Sequence, residues 1–268
     1  MIMDYHIHLE RGPFSEEWFE KFWEKAKEME IEEIGISEHG HRFQEFRPVY
    51  QDLPHTSSWC DSNLDEYISF LSFLKKKYPI KIGVEMDYLP EKERKIEELL
   101  TKYNVFDYVI GSIHWLNHGF GFDIDPHDPR WKKESESIFL DYFERLELAI
   151  KSELFDIIGH IDLVKLWGHK PPENILEIYE NLAKIIKNKG ISIEINTSGL
   201  RRPVNEIYPS PTFLKILAPF EIPLTFGSDA HSPDNVGNNI KEFYEFAKNL
   251  GFKKIAIFSK RIPQYVNI

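Results

Sequence analysis

The chain of 268 residues predicts an α/β fold, a closed (β/α) barrel rather than an open sheet. Three observations predict it. Short β-rich apolar runs alternate with helical stretches along the whole chain, as parallel βαβ units require. Seven or eight such units fit in this length, which suits a barrel. No low-complexity linker, short repeat or composition break interrupts them, so residues 1–268 read as a single domain.

The β-rich runs are 2–8, 33–38, 81–87, 107–114, 155–161, 191–197 and 223–228, with 254–258 as a closing or edge strand. Helical stretches lie near 15–30, 63–77, 91–103, 134–153, 173–189, 211–218 and 236–250. In the first of these, Trp18, Phe19, Phe22, Trp23, Ala26 and Met29 recur at steps of three and four, one face of a helix. Ser15 before Glu16 and Glu17 predicts its N-cap. Pro172 opens and Gly190 closes the stretch 173–189, the usual order of those two residues. Segment 42–62 has no clear period and is either a cover over a site or a packed excursion.

Composition narrows the function. Thirty-three basic against 44 acidic residues give a net charge of −11, which argues against a broad basic surface for nucleic acid but leaves room for one small phosphate. Cys60 is the sole cysteine, so an intramolecular disulfide or a thiolate zinc cluster is excluded. No apolar run reaches the roughly 18–20 residues of a membrane span. The N-terminal residues MIMDYHIHLERG do not read as a secretory signal, so the cytoplasm is the expected location, with no membrane partner.

The chemistry-bearing residues sit at strand ends, and in such barrels the C-terminal strand ends build the active site. The first run ends in His6-Ile7-His8 and the second runs into Glu38-His39. The third carries Glu85 and Asp87, the fourth ends at His114, and the fifth at His160 and Asp162. The sixth gives Glu194, Asn196 and Ser198, and the seventh Asp229-Ala230-His231. Six of the eleven histidines fall at these ends, so chance scatter is a poor account of them. Each alone could be a hydrogen-bonded interior residue. Together they predict one site. His6 and His8, two apart on a strand, leave on the same face, and Asp229 and His231 share that spacing. Imidazole and carboxylate ligands suit Zn²⁺, Mn²⁺ or Fe²⁺. The candidates outnumber the ligands of one tetrahedral ion, so two or three divalent ions are expected. Ions so grouped clamp phosphoryl oxygens and lower the pKa of a water.

The order His-x-His, Glu-His-Gly, Gly-Val-Glu, Gly-Ser-Ile-His, Gly-His-Ile-Asp, Ser-Asp-Ala-His closely resembles the polymerase-and-histidinol-phosphatase (PHP) family, from Asp4 to His231 and into the tail. It is most similar to the stand-alone histidinol-phosphatase branch. The resemblance implies a distorted seven-stranded (β/α) TIM-like barrel with a trinuclear metal centre at the C-terminal face of the strands. It implies a first ion on His6, His8, Glu85 and Asp229, and a second on His114 and His160 with Glu85 bridging. A third would take His39, His231 and a residue after the first strand. Glu10 is the nearby acid in Leu9-Glu10-Arg11-Gly12-Pro13. The implied reaction is hydrolysis of L-histidinol phosphate in histidine biosynthesis, by attack of a metal-bound hydroxide on phosphorus. A metal-bound water, Asp229 or His231 would protonate the leaving oxygen.

Further residues are candidates by position. Asp4 faces the side of His6 and either orients an imidazole or is a structural buried acid. Arg201 is the favoured phosphate contact, with Arg202 as a surface charge, and Lys165 and Arg42 follow. Trp115, Trp167, Phe43 and Tyr88 are aromatic candidates for the imidazole of a substrate. His41, His55, His118, His127 and His169 read as loop histidines outside the ligand set. Other readings are a related phosphoesterase acting on nucleotides, a metal-dependent amidohydrolase and a non-enzymatic metal-binding module. The amidohydrolase would want a lysine at a mid-barrel strand end, where Glu85 stands instead.

Overall fold

Buried strands need apolar side chains on both faces, and the β-rich runs supply them. In the computed structural model, which describes residues 1–54 and 56–268, the first seven of these runs form the parallel strands of a barrel. They are β1 (Met3–Ile7), β2 (Glu33–Ile36), β3 (Ile80–Asp87), β4 (Tyr108–Ser112), β5 (Ile157–Ile158), β6 (Ser192–Asn196) and β7 (Leu224–Gly227). Each pairs in parallel with the next in chain order. The barrel closes beyond β7, where Ile7 bridges to Ala230 and the His8 amide donates to the Ala230 carbonyl at 2.9 Å. The fold is thus a distorted seven-stranded (β/α) barrel. His55 lies outside the described residues.

Strand β5 is the chief distortion. The expected run 155–161 shrinks to two paired residues, because the chain turns out of the sheet at Gly159 and His160. The run 254–258 is an edge strand and does not close the barrel. It forms β8 (Lys254–Ser259), which meets β7 in parallel at Ile255 and Leu224. An unexpected antiparallel β9 (Ile262–Asn267) folds back onto it.

The helices are α1 (Glu16–Glu28), α2 (Arg47–Tyr50), α3 (Leu64–Leu74), α4 (Glu93–Lys102), α5 (Pro129–Ser152), α6 (Ile175–Lys189), α7 (Pro211–Leu217) and α8 (Ile240–Leu250). The Ser15 hydroxyl accepts from the Trp18 amide at 3.2 Å, and Phe19, Phe22 and Ala26 of α1 are buried. Gly190 ends α6 in the left-handed conformation, φ 68°. Helix α5 begins at Pro129 rather than near 134, because Asp128 accepts from the Arg130 amide and Pro129 takes the first helical position.

Tyr108 fills the barrel interior. Its ring stacks on Tyr5 with centroids 5.0 Å apart, and its hydroxyl donates to the Tyr5 carbonyl at 2.5 Å. Gly35 and Gly83 make this possible, since a Cβ at either would lie within 2.4 Å of that phenol. Within segment 42–62, Phe43, Phe46, Val49 and Tyr50 are packed into the core, fully or almost fully buried, while Arg42, Trp59 and Asp61 face a surface cleft. Among the described residues no helix is long and apolar enough to cross a membrane.

Candidate metal centre

The strand ends bring the candidate ligands to one place. Four groups of donor atoms lie within 4.8 Å of one another: His6, His8 and Glu85; Glu85, His114 and His160; His8, His39 and His231; His6, His160 and Asp229. Glu85, from β3, is their hub. Its Oε2 lies 2.7 Å from His39 Nδ1 and 3.4 Å from His6 Nε2, and its Oε1 lies 2.9 Å from His160 Nε2. Asp229 Oδ1 lies 3.5 Å from His8 Nε2 and 3.9 Å from His6 Nε2. Asp229 has a left-handed backbone, φ 53°, a conformation that short polar residues adopt more readily than most. Glu10 stands beside the outer pair, 3.5 Å from His231 Nε2 and 4.0 Å from His39 Nε2.

Three imidazoles are fixed from behind. His6 Nδ1 contacts Glu194 at 2.7 Å, His114 Nδ1 contacts Asp87 at 2.8 Å, and His231 Nδ1 meets the Asp229 carbonyl at 3.0 Å. Each leaves Nε2 facing the centre, which is how ligating histidines are commonly oriented. Glu194 is the carboxylate that orients His6; Asp4 is not. The Asp4 carboxylate instead accepts from the Ser228 amide at 2.8 Å, the Ser228 hydroxyl at 2.5 Å and the Gly237 amide at 2.9 Å, pinning the closing seam of the barrel. Burial raises its pKa to about 6 against these bonds.

The donor set fits divalent ions. His6 Nε2, both ring nitrogens of His8, Glu85 Oε2 and His160 Nδ1 are buried without a hydrogen-bond partner. Orphaned buried polar atoms are costly, and His6 Nε2 and His8 Nε2, both within 4 Å of Glu85 and Asp229, call for a cation between them. Burial, with His39 and His231 beside it, keeps His8 a neutral imidazole, the form that ligates. Burial alone would raise Glu85, but His6, His39 and His114 outweigh it and hold the carboxyl well below its usual range. Burial likewise disfavours the His39 cation, yet Glu85 and Glu10 lift its pKa to about 9. Such mutual dependence of acids and imidazoles is relieved when ions take the place of the protons.

Two connected spaces adjoin the cluster. A small chamber of about 100 Å³ lies over it, walled by Glu85, His160, Ser198, Arg202 and Asp229 among others. A wider cleft of about 460 Å³ continues outward, bordered by Glu10, Arg11, His41, Arg42, Trp59, Asp61 and Trp115. His39, His114 and Asp123 border both. Among the described residues no lysine lines either space.

The cationic candidates need correction. Arg201 does not face the chamber: its guanidinium donates to the Ser228 carbonyl at 2.6 Å and so braces the turn before Asp229. Its neighbour Arg202, read as a surface charge, lines the chamber instead. Arg201 ends a short helical turn and Arg202 follows it in extended backbone, so the two side chains diverge, and spacing alone does not tell which one points inward. Lys165 is withdrawn too. Its ammonium donates to Glu206 at 2.7 Å and the Ile207 carbonyl at 2.8 Å, beside a separate cavity. Arg42 borders the cleft, but its guanidinium is held by Glu38 at 2.9 Å and Ser62 at 3.1 Å. Glu38 in turn accepts from the Leu9 amide, so Arg42 shapes the loop that carries Glu10.

Of the aromatic candidates, Trp115 borders the cleft, with Trp59 at a ring distance of 6.1 Å. Trp167 is used structurally, donating to the Phe122 carbonyl, and Phe43 and Tyr88 are core. His41 borders the cleft, His118 and His127 are exposed, and His169 stacks on Trp131. Arg11 and Asp123 were not singled out from the sequence. Asp123 is one of several acids in its loop, and nothing in the local pattern distinguishes it from Asp125 or Asp128.

Comparison with known proteins accords with this architecture. A protein of Deinococcus radiodurans named "probable histidinol-phosphatase" is 31% identical over 208 residues, 74% of this chain and 77% of that protein. The histidinol-phosphatase of Bacillus subtilis is 29% identical over 266 residues, 90% of this chain and 98% of that one. The crystal structure of histidinol phosphate phosphatase from Lactococcus lactis, complexed with zinc, L-histidinol and phosphate, superposes with a TM-score of 0.76 at 25% identity, covering 98% of both chains. The PHP domain profile matches residues 4–198, a span that holds most of the strand-end cluster, and the chain belongs to the PHP domain family.

Proposed function

We propose that this chain is a divalent-metal-dependent phosphomonoesterase that hydrolyses L-histidinol phosphate to L-histidinol and phosphate, in histidine biosynthesis. The observation that carries it is the convergence of buried imidazoles and carboxylates, with His6 Nε2 and His8 Nε2 unpartnered, beside a chamber that shares walls with a wider cleft. The full-length similarity to histidinol-phosphatases supports the substrate, as does the Lactococcus lactis complex with L-histidinol and phosphate.

In this reading His6, His8, Glu85 and Asp229 would hold one ion and His114 and His160, with Glu85, a second. His39, His231 and Glu10 would hold a third. When bound, such ions neutralise phosphoryl oxygens and lower the pKa of a water to near neutrality. Glu194 and Asp87 keep His6 and His114 in the ligating orientation through their Nδ1 atoms. Ser112 donates to Glu85 Oε1 at 2.7 Å and Ser198 to Asp229 Oδ2 at 3.0 Å, which fixes both carboxylates. Arg202 contacts the phosphoryl group from the chamber wall. Asp229, held ionised because the neighbouring imidazoles outweigh its burial, receives the proton of the attacking water. Asp229 then returns that proton to the leaving oxygen, while His231, its Nδ1 on the Asp229 carbonyl, holds the turn in place.

The test is phosphate release from L-histidinol phosphate beside nucleotides and sugar phosphates, on metal-reconstituted protein with a chelator control. Chelator-sensitive turnover that strongly favours L-histidinol phosphate is expected. Turnover of other esters with none on this one overturns the substrate, and turnover that survives chelation overturns the metal centre.

A further inference from the structure

Three residues border both the chamber over the cluster and the outer cleft: His39, His114 and Asp123. The first two belong to the ligand groups. Asp123 belongs to none of them. It stands at the seam between the space for a phosphoryl group and the space for the group that leaves. An ester that fills both spaces must run its bridging oxygen, and the carbons next to it, past this carboxylate.

The backbone holds Asp123 there firmly. It follows a small antiparallel ladder in which Trp115 pairs with Gly121 and Leu116 with Phe120. Phe122 is fully buried, and its carbonyl accepts from the Trp167 indole at 2.9 Å. Phe120 is covered by the Arg130 guanidinium, 3.6 Å from the ring centroid. The charged partners beside the carboxylate are imidazoles of the cluster, His114 and His160. Among the described residues no lysine or arginine forms a salt bridge with it, whereas Asp61 in the same cleft has Arg42 at 3.7 Å. A half-buried carboxylate with no lysine or arginine paired to it can take a cation from a ligand, the more so when ions hold the imidazoles beside it neutral.

We propose that Asp123 is a specificity-determining residue that pairs with an ammonium group on the carbon next to the phosphoester carbon. The substrate class is then 2-ammonio-alkyl phosphates rather than phosphomonoesters at large. The inference rests on the proposed reading of the site, and L-histidinol phosphate carries its amine at that carbon. Trp59 and Trp115, farther out, would receive the remainder of such a substrate.

The experiment compares kcat/KM within two substrate pairs: L-histidinol phosphate against its des-amino analogue, and 2-aminoethyl phosphate against propyl phosphate. The wild-type chain should prefer the amino member of each pair by about 10- to 100-fold, the size of a charged hydrogen bond. In Asp123→Asn and in Asp123→Ser that preference should collapse toward unity, with bound metal unchanged. A wild type without amine preference in either pair overturns the proposal. So does a variant that loses both members of a pair in equal proportion, or one that loses metal, since either would place Asp123 in the phosphoryl chemistry. Should L-histidinol phosphate not be turned over at all, the function reading fails while the second pair still reports on Asp123.

Discussion

The two ends of the barrel treat buried carboxylates in opposite ways. At the N-terminal end, Asp107 and Asp156 directly precede β4 and β5, and each is satisfied. Asp107 accepts from the Ile82 amide at 2.9 Å and Lys75 at 2.5 Å. Asp156 accepts from the Val109 amide and from Arg261 Nε, both at 2.8 Å. Arg261 comes from the turn between β8 and β9, and also donates to the Leu154 carbonyl at 2.7 Å. At the C-terminal end, Glu85 and the histidines around it keep buried atoms with no partner. The first end is built for stability, and the second holds its polar groups in reserve for what binds there.

The sharpest way to break this contrast is Glu85→Gln. It removes the charge that five of the imidazoles approach. Turnover should fall on the order of 10³-fold, because several kcal/mol of charge stabilisation depart with the ions. Metal analysis of the purified variant should show a matching deficit. Full metal content with normal turnover would contradict the role given to Glu85. At the other end, Arg261→Ala strips two donors from Asp156 and one from Leu154. Urea denaturation should show a loss of about 2–3 kcal/mol. The kcat and the metal content should stay at wild-type values, and a drop in either would show that the ends are coupled.

The same contrast explains what could be read in the residues. Barrel strands are apolar runs because both faces are covered, so β1 to β4, β6 and β7 were evident, as were the imidazoles at their ends. Strand β5 was overdrawn, because Ile157 and Ile158 look like the start of a longer run and nothing local says that the chain leaves at Gly159. Strand β9 was missed because Ile262–Asn267 is largely exposed and includes Pro263, so it lacks a buried pattern. Long-range choices were hidden as well. That Arg202 and not Arg201 lines the chamber depends on where a short helical turn ends and the chain becomes extended. That Lys165 faces Glu206 depends on a loop 41 residues away.

Glu194→Gln tests a smaller effect at the catalytic end. It keeps the shape behind His6 Nδ1 but removes the charge that orients the ring. Metal affinity or turnover should fall about 10- to 100-fold, the usual cost of losing such a supporting carboxylate. A titration of metal-free protein with Zn²⁺, followed by activity, measures it. An unchanged affinity would mean that packing alone sets the His6 ring.

The smallest effect asks whether the catalytic end also contains parts that serve stability alone. Asp128 caps α5 a few residues after Asp123, and its carboxylate holds Arg130 at 2.7 Å. The Arg130 hydrogen bond, followed by the Arg130 amide, draws its pKa down from 3.8 to about 2. A depressed carboxyl stabilises the fold above its unfolded pKa and loses that contribution as pH falls through the folded value. Asp128→Ala should therefore cost about 1 kcal/mol at pH 7, as for a lost N-cap. The gap from wild type should narrow as pH drops below 4. Asp128→Asn retains the cap and should be much less sensitive to pH than the wild type over that window. Thermal melts at pH 7 and pH 3 measure all three proteins. Neither variant should alter the preference for amino over des-amino substrates. If Asp128→Ala did alter it, the loop that presents Asp123 would depend on the α5 cap, and stability and specificity would share one device at that end.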